Sequence, residues 1–221
     1  MPIKKLYDNI KLLGGPEMEA EILLIRHGET DFNRLGKIQG QINSELNNKG
    51  QQQAKLLGEF LNKILTPSII VTSDLVRAEA TTQALASKLN IDYAIDERLR
   101  EVSFGSAEGK TWSEISETYG DISSKWRQHE ANAVFPGGET REQVLERVNQ
   151  CIDEYTSKQK SKRIAFITHG AVIAAFTANH LAIPAGNRPN ILISNVSISG
   201  FIRKESKWIL SVWGLTPQKW I

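Results

Sequence analysis

Glu21-Ile-Leu-Leu-Ile-Arg-His-Gly28 and Arg163-Ile-Ala-Phe-Ile-Thr-His-Gly170 are two versions of one phrase, a short apolar run that ends in His-Gly. An apolar run without polar alternation is the pattern of a strand covered on both faces, as in a parallel sheet packed between helices. The glycine after each histidine lets the chain turn sharply and approach a ligand closely. Both histidines are therefore predicted at strand C-termini. In open parallel sheets ligands bind outside those ends, so the two corners are expected to face one crevice.

The rest of the chain alternates around these strands. Ala54, Leu57, Phe60, Leu61 and Ile64 predict a helix from about Asn48 to Lys63, followed by a strand over Ser68 to Thr72. Asp74 is read as the cap of a helix from Leu75 to Leu89, and Ile91 to Ile95 as a short strand. Thr140 with Gln143 forms a capping box ahead of an amphipathic helix carrying Val144, Leu145, Val148, Cys151, Ile152 and Tyr155. A helix over Ala171 to Leu181 and two strand-like runs, Ile191 to Ile202 and Trp208 to Trp213, close the chain as a hairpin or sheet edge. The fold class is α/β, a three-layer sandwich with a mainly parallel central sheet and helices on both faces. Residues 20–221 are expected to form a single domain, residues 1–19 an extension without assigned role, and residues 105–138 a lid or specificity insert with short helices.

Composition narrows the partners. A chain of 221 residues, 40% hydrophobic, can bury one sizeable core. Its 27 Lys and Arg against 25 Asp and Glu leave a net charge of +2, dispersed and too mild for nucleic acid. No apolar run is long enough to span a bilayer, and the first nineteen residues lack a continuous apolar segment of the secretory type. The single cysteine, Cys151, reads as a buried hydrophobe in a reducing compartment. These features predict a cytoplasmic protein without membrane or nucleic-acid partner; a homodimer is compatible with them.

Arg26-His27-Gly28-Glu29-Thr30 sets an imidazole beside a guanidinium at a strand end, an anion-binding arrangement in which a ring nitrogen can take up a phosphoryl group. Alone it is matched by the reading of a hydrogen-bonded core histidine beside a surface arginine. His169 and Gly170, arriving at the same sheet edge, shift the balance, since a second imidazole can donate to a phosphoryl oxygen. Arg77 falls one turn into the helix after Thr72-Ser73-Asp74, where its fork can reach the same crevice. Glu101 could serve as general acid and base, but spacing does not separate it from Glu97 or Glu108. His129 and His180 have no such setting and read as structural or surface residues. Ligand clusters for a metal are absent from the sequence.

Arg26-His27-Gly28-Glu29-Thr30 with Asn33, Gln39-Gly40, Leu46 and Gly50, then Ser73-Asp74-Leu75 with Arg77-Ala78 and Thr81, then Leu99-Arg100-Glu101 with Phe104-Gly105 and Glu108-Gly109, then His169-Gly170, together resemble the histidine phosphatase superfamily, branch 1, with its phosphoglycerate mutase-like fold. The resemblance spans roughly residues 20 to 200. It implies His27 as phosphorylated nucleophile, with its second ring nitrogen held by Gly28. It implies Arg26, Arg77, His169 and Gly170 around the phosphate, Asn33 lining the pocket, Glu101 as proton donor, and neither metal nor cofactor.

Departures bear on the substrate. Ala171 stands where many relatives carry a second glycine, Ala174 where a number carry arginine, Asn43 and Asn47 where Asp and Thr are frequent, and Ser106-Ala107 where Asp-Trp is common. Val102-Ser103-Phe104-Gly105 comes after Glu101 in place of the Arg-His-Tyr-Gly type that grips glycerate in phosphoglycerate mutases. With Phe135-Pro-Gly-Gly-Glu-Thr140, this pattern is similar to broad-specificity and alpha-ribazole phosphatases. The expectation is a phosphomonoester hydrolase; a cofactor-dependent mutase and a silent phospho-ligand module are the alternatives. Trp112, Trp126 and Arg127 either line a pocket or pack a small core.

Overall fold

The structure, a computed structural model, describes residues 18–128, 130, 133–159, 162–184 and 192–217. The two His-Gly phrases form β1 (Ala20–Arg26) and β4 (Arg163–Thr168), neighbours in parallel register from Glu21 opposite Arg163 to Arg26 opposite Thr168. β2 (Ile69–Thr72) and β3 (Tyr93–Ile95) continue the parallel half, while β5 (Ile198–Lys204) and β6 (Lys207–Leu215) add an antiparallel hairpin against β1. The strand order is β3-β2-β4-β1-β5-β6.

The continuous apolar runs resolve into two cores because alternate side chains leave opposite faces of the sheet. Ile22, Leu24, Ile164 and Phe166 face one way and pack with Val144, Val148, Cys151 and Ile152 of α6 (Arg141–Lys158) and Val172, Ile173 and Phe176 of α7 (Gly170–His180). Leu23, Ile25, Ala165 and Ile167 face the other way, onto Leu57, Phe60 and Leu61 of α2 (Asn48–Ile64) and Ala78, Leu85 and Ala86 of α3 (Val76–Leu89). This is the expected three-layer α/β sandwich. Among the described residues no helix is long and apolar enough to cross a membrane.

A short α1 (Asp31–Arg34) follows the first His-Gly corner, and α4 (Trp112–Thr118) and α5 (Gly120–Arg127) occupy residues 105–138. Phe104, Trp126 and Phe135 stack there at ring-centroid distances of 5.0, 6.1 and 6.3 Å, so Trp126 is a packing residue. The Thr140 and Gln143 capping box is present on α6. Cys151 is buried, as expected.

Three local expectations are corrected. Asp74 does not cap α3: its carboxylate takes a bidentate pair with Arg100, at 2.8 and 2.5 Å, and the Val76 N–H at the helix start donates instead to Asn43 Oδ1 at 3.3 Å. The strand expected from Ile91 begins at Tyr93, beyond the left-handed Asn90 that ends α3. Of the run expected over Ile191 to Ile202, Ile191 lies outside the described residues and the strand begins at Ile198, after Val196, at φ 55°, turns the chain so that its N–H reaches the Arg26 carbonyl at 3.0 Å. Residues 1–17 and His129 lie outside the described residues.

The corner after β1 meets α2 through the Gln53 side chain, whose Oε1 accepts from Glu29 N at 2.8 Å, and through close backbone approach. A Cβ on Gly50 would lie 2.0 Å from the Glu29 carbonyl oxygen, and one on Gly28 would lie 2.7 Å from that of Gly50. Gly50→Ala is expected to lower the unfolding free energy by about 1–3 kcal/mol through this overpacking; a urea midpoint equal to wild type would show that the corner yields without cost.

Candidate active site

Parallel register brings the two corners together: the His27 and His169 ring centroids are 5.2 Å apart, and both side chains are buried. His27 Nδ1 lies 2.7 Å from the Gly28 carbonyl oxygen. A carbonyl only accepts, so the ring proton belongs on Nδ1, leaving the lone pair on Nε2. Arg77 Nε donates to that Nε2 at 3.2 Å, which agrees with this tautomer. The backbone of His27 is fixed by its N–H on Thr168 O at 3.0 Å and by Asn195 Nδ2 donating to its carbonyl at 3.0 Å.

Arg77 is fully buried on the first turn of α3, and each of its terminal nitrogens gives one bond to a backbone carbonyl, Nη1 to Ile42 at 2.8 Å and Nη2 to Gly40 at 2.7 Å, leaving a second N–H on each. Arg26 Nη1 donates to Ile193 O at 2.5 Å, while its buried Nε has no hydrogen-bond partner among the described residues. His169 Nε2 meets Ser73 Oγ at 2.9 Å, and its Nδ1 has no partner among the described residues. Ser73 Oγ accepts from the Leu75 N–H at 3.3 Å. With the Ser73 hydroxyl donating to Nε2, the second imidazole carries an N–H at Nδ1. The unmet Arg26 Nε–H and, in that tautomer, the His169 Nδ1–H, together with the Arg77 guanidinium, fit an anion with several oxygens.

Glu101 comes after the 3₁₀ turn Glu97–Leu99 and stands on the crevice, its Oε1 accepting from Val102 N at 3.0 Å and its Oε2 from Ala171 N, at the start of α7, at 3.3 Å. Its two rivals are placed elsewhere. The Glu97 side chain is 75% exposed and 3.9 Å from Arg100. Glu108 Oε1 accepts from the N–H groups of Gln41 and Phe104, both at 3.0 Å, and abuts Gly40. Asn33 lines the crevice, but its Oδ1 is used locally, accepting from Thr30 N at 3.2 Å and Asn195 Nδ2 at 3.1 Å. Gly170, the first residue of α7, lines it as well, and a Cβ there would meet Arg26 at ordinary contact distance, 3.5 Å. The crevice measures about 350 Å³ and is walled beyond the arginines by Ile38, Phe104, Trp112, Ala174, Leu192 and Lys37. His180 stands apart, on Asn149 at 3.0 Å. Among the described residues no group of His, Cys, Asp and Glu could hold a metal.

Three further groups position the catalytic side chains, and one of them carries no signal of its own in the sequence. Ser73 and Thr81 belong to recognisable blocks, and Thr81, one turn after Arg77, accepts from the Gly28 N–H at 3.0 Å and donates to Arg77 O at 2.7 Å. Asn195 comes from an irregular segment with neither period nor motif.

The electrostatics are those of a cationic site awaiting an anion. Burial, followed by the fields of Arg77 and Arg26, holds the His27 pKa well below its ordinary 6.5, with the Gly28 bond opposing. His169 is depressed by burial, then by Arg77, His27, Arg26 and Arg147. Burial also lowers Arg77 to about 10, partly countered by Glu101.

Comparison with known proteins gives the family. Residues 22–216 match the model of the histidine phosphatase superfamily (branch 1). The chain belongs to that superfamily. A metal-independent phosphoserine phosphatase of Arabidopsis thaliana is 33% identical over 88% of this chain and 81% of its own length. A probable phosphoglycerate mutase, GpmB, of Salmonella choleraesuis is 31% identical over 87% and 89%. Among solved structures, a mycobacterial glucosyl-3-phosphoglycerate phosphatase bound to VO3 superposes with a TM-score of 0.80 at 30% identity, covering 89% of this chain and all of the other. An Entamoeba histolytica phosphoserine phosphatase with 3-phosphoglyceric acid gives 0.80 at 28%, covering 89% and 98%.

A site with both imidazoles held neutral has a definite pH signature. The unfolded chain binds protons on these histidines below about pH 6.5 and the folded one does not, so stability is full above that pH and falls as the pH drops beneath it. The melting temperature in phosphate-free buffer should be flat near pH 7.5 and decline toward about pH 5.5, less steeply in His169→Asn. A melting temperature that rises over the same interval would contradict neutral histidines.

Proposed function

We propose that this chain hydrolyses small phosphomonoesters through a phosphohistidine on His27. The observation that carries the reading is the tautomer: Nδ1 tied to the Gly28 carbonyl and a lone pair at Nε2 beside Arg77. In the first step Nε2 attacks phosphorus and the ester P–O bond breaks, with Glu101 in its acid form passing its proton to the departing alkoxide. Positive charge that develops on the ring is relieved at Nδ1 by Gly28 O. Arg26, Arg77, the Nδ1–H of His169 and the N–H of Gly170 at the start of α7 meet the phosphoryl oxygens, which lowers the barrier by positioning and charge stabilisation. In the second step the Glu101 carboxylate takes a proton from water, whose oxygen bonds to phosphorus as the P–N bond breaks. Phosphate and neutral His27 result. Asn33 shapes the rim, and residues 105–138 act as the specificity insert through Trp112.

Hydrolysis is favoured over isomerisation by the residues immediately after Glu101. Val102-Ser103-Phe104-Gly105 supplies no cationic side chain in place of the Arg-His-Tyr-Gly type, and the crevice wall beyond the arginines is mostly apolar. The patterning shared with broad-specificity and alpha-ribazole phosphatases points the same way. The named relatives act on or hold phosphoserine, 3-phosphoglyceric acid and glucosyl-3-phosphoglycerate, compounds that share a carboxylate near the phosphate ester. The substrate class proposed here is therefore a carboxylate-bearing alkyl phosphate, with Lys37 as counter-charge.

His27→Ala is expected to abolish turnover and the acid-labile phosphoprotein seen after rapid quenching of wild type; substantial residual turnover would refute the nucleophile. Given 3-phosphoglycerate with a trace of 2,3-bisphosphoglycerate, wild type should release phosphate faster than it isomerises, and the opposite order would make it a mutase. Ligand binding without turnover of any phosphomonoester would mark a silent binding module. Lys37→Ala should raise KM about 5-fold for phosphoserine and leave 4-nitrophenyl phosphate unaffected, the loss expected of one partly solvated charged contact. Equal effects on both substrates would remove Lys37 from recognition.

A further inference from the structure

Glu101 sits on an irregular loop, yet a proton donor has to be held to within a fraction of an ångström, since a misplacement of about 1 Å can cost on the order of 10²-fold in rate. What fixes this loop is a side chain from another element. Arg147, on the second turn of α6, donates through Nη1 to the carbonyls of Arg98 and Arg100, both at 2.7 Å, and through Nη2 to the carbonyl of Glu101 itself at 3.1 Å. Its other two donor directions meet Glu139, Nε on Oε1 at 2.9 Å and Nη2 on Oε2 at 3.0 Å. All five guanidinium N–H groups are thus engaged, and three of them grip the backbone that carries Glu101.

Glu139 extends the clamp. Its Oε2 accepts from Ser103 N at 2.8 Å, on the far side of Glu101, and from Gln41 Nε2 at 3.4 Å. The same Gln41 Nε2 donates to the Glu101 carbonyl at 3.2 Å. Gln41 lies between Gly40 and Ile42, whose carbonyls hold Arg77. One ion pair therefore ties the loop of the proton donor to the loop that orients the phosphate-binding guanidinium. The other basic side chains of the loop point away, Arg98 to Asp96 and Glu154 and Arg100 to Asp74.

Resting on the reading of Glu101 as general acid and base, we propose that Arg147 and Glu139 are positioning residues that hold Glu101 in register with the leaving oxygen and couple it to Arg77. Neither touches substrate. A residue that only supported the fold would, when altered, affect all substrates alike. One that places the acid should matter in proportion to how much the leaving group needs a proton.

The test compares kcat/KM for phenyl phosphate, whose leaving oxygen is basic, with that for 4-nitrophenyl phosphate, whose leaving oxygen is not. Glu101→Gln is the reference and should lower the phenyl value by at least 10-fold more than the nitrophenyl value, as loss of a general acid requires. Arg147→Lys keeps the charge but cannot span three carbonyls and a carboxylate. It should reproduce the split in milder form, about 5- to 10-fold, with a circular dichroism spectrum like that of wild type. If Glu101→Gln shows no split, the acid itself is misassigned. If Glu101→Gln splits the two substrates while Arg147→Lys lowers both equally, or neither, the positioning inference alone is overturned. Should Arg147→Lys not fold, Glu139→Gln takes its place, since it keeps size and shape but sets an amide N–H₂ against the Ser103 N–H or Arg147, and the same two outcomes decide.

Discussion

Six register pairs between β1 and β4, from Glu21 opposite Arg163 to Arg26 opposite Thr168, are the constraint on which the active site depends. Side-chain direction in a strand has a period of two, so a slip of one residue would exchange the two cores as well as misplace the histidines. Ile22 and Leu24 would lose α6 and α7 while Leu23 and Ile25 lost α2 and α3. Burial of both faces thus sets the pairing, and the pairing sets the distance between His27 and His169. The chemistry at the strand ends inherits its precision from hydrophobic packing further down the same strands. The hydrogen bond from His27 N to Thr168 O continues the ladder one step into the site itself.

The second organising feature is how the buried cations are held. Arg77 is fastened by the carbonyls of Gly40 and Ile42 and by an imidazole nitrogen, and Arg26 by the carbonyl of Ile193, with no carboxylate in direct contact among the described residues. Glu101 and Glu108 reach Arg77 only through their fields. Dipoles orient a guanidinium without neutralising it, so an arriving phosphoryl group does not have to displace a bound anion. Burial first, and then the fields of the uncompensated cations, depress both imidazoles and Arg77 below their ordinary values. That depression is useful, since a nucleophilic nitrogen must be free of a proton.

Much of this was legible in the sequence because it rests on periodicity and on local chemistry. The apolar runs, the helical spacing of Leu57, Phe60 and Leu61, and the Thr140 box each arise from a few adjacent residues. What could not be read is what depends on partners distant in sequence. Asp74 looks like a cap and becomes half of an ion pair because Arg100, 26 positions on, is brought beside it by β3 and the 3₁₀ turn. Spacing did not distinguish Glu97, Glu101 and Glu108, since which of them reaches the crevice is decided by the clamp from Arg147, on a helix that begins 40 residues after Glu101. Asn195 was illegible for the same reason: its value lies in reaching His27 O across 168 positions. The strand of the final run begins only at Ile198, since at Val196 a hydrogen bond to the Arg26 carbonyl outweighs the β preference of a branched side chain.

Under the proposed reaction, the first half is common to a hydrolase and a mutase, and the choice between them falls to whatever occupies the crevice when phosphohistidine is formed. A mutase must keep its dephosphorylated acceptor in place and turn it, which calls for several directional contacts to the organic part. Here the contacts near Glu101 are committed inward: Ser103 N and Gln41 to Glu139, Phe104 N to Glu108, and the Phe104 ring to Trp126 and Phe135. What remains facing outward is apolar apart from Lys37 and the edges of Asn33 and Gln39. A small alcohol released into such a crevice has little to hold it, and water beside Glu101 then competes for phosphorus without rival. The residues that make the loop rigid enough to place a proton are, by the same commitment, unavailable to retain a second alcohol, so precise general acid catalysis and hydrolysis go together in this site.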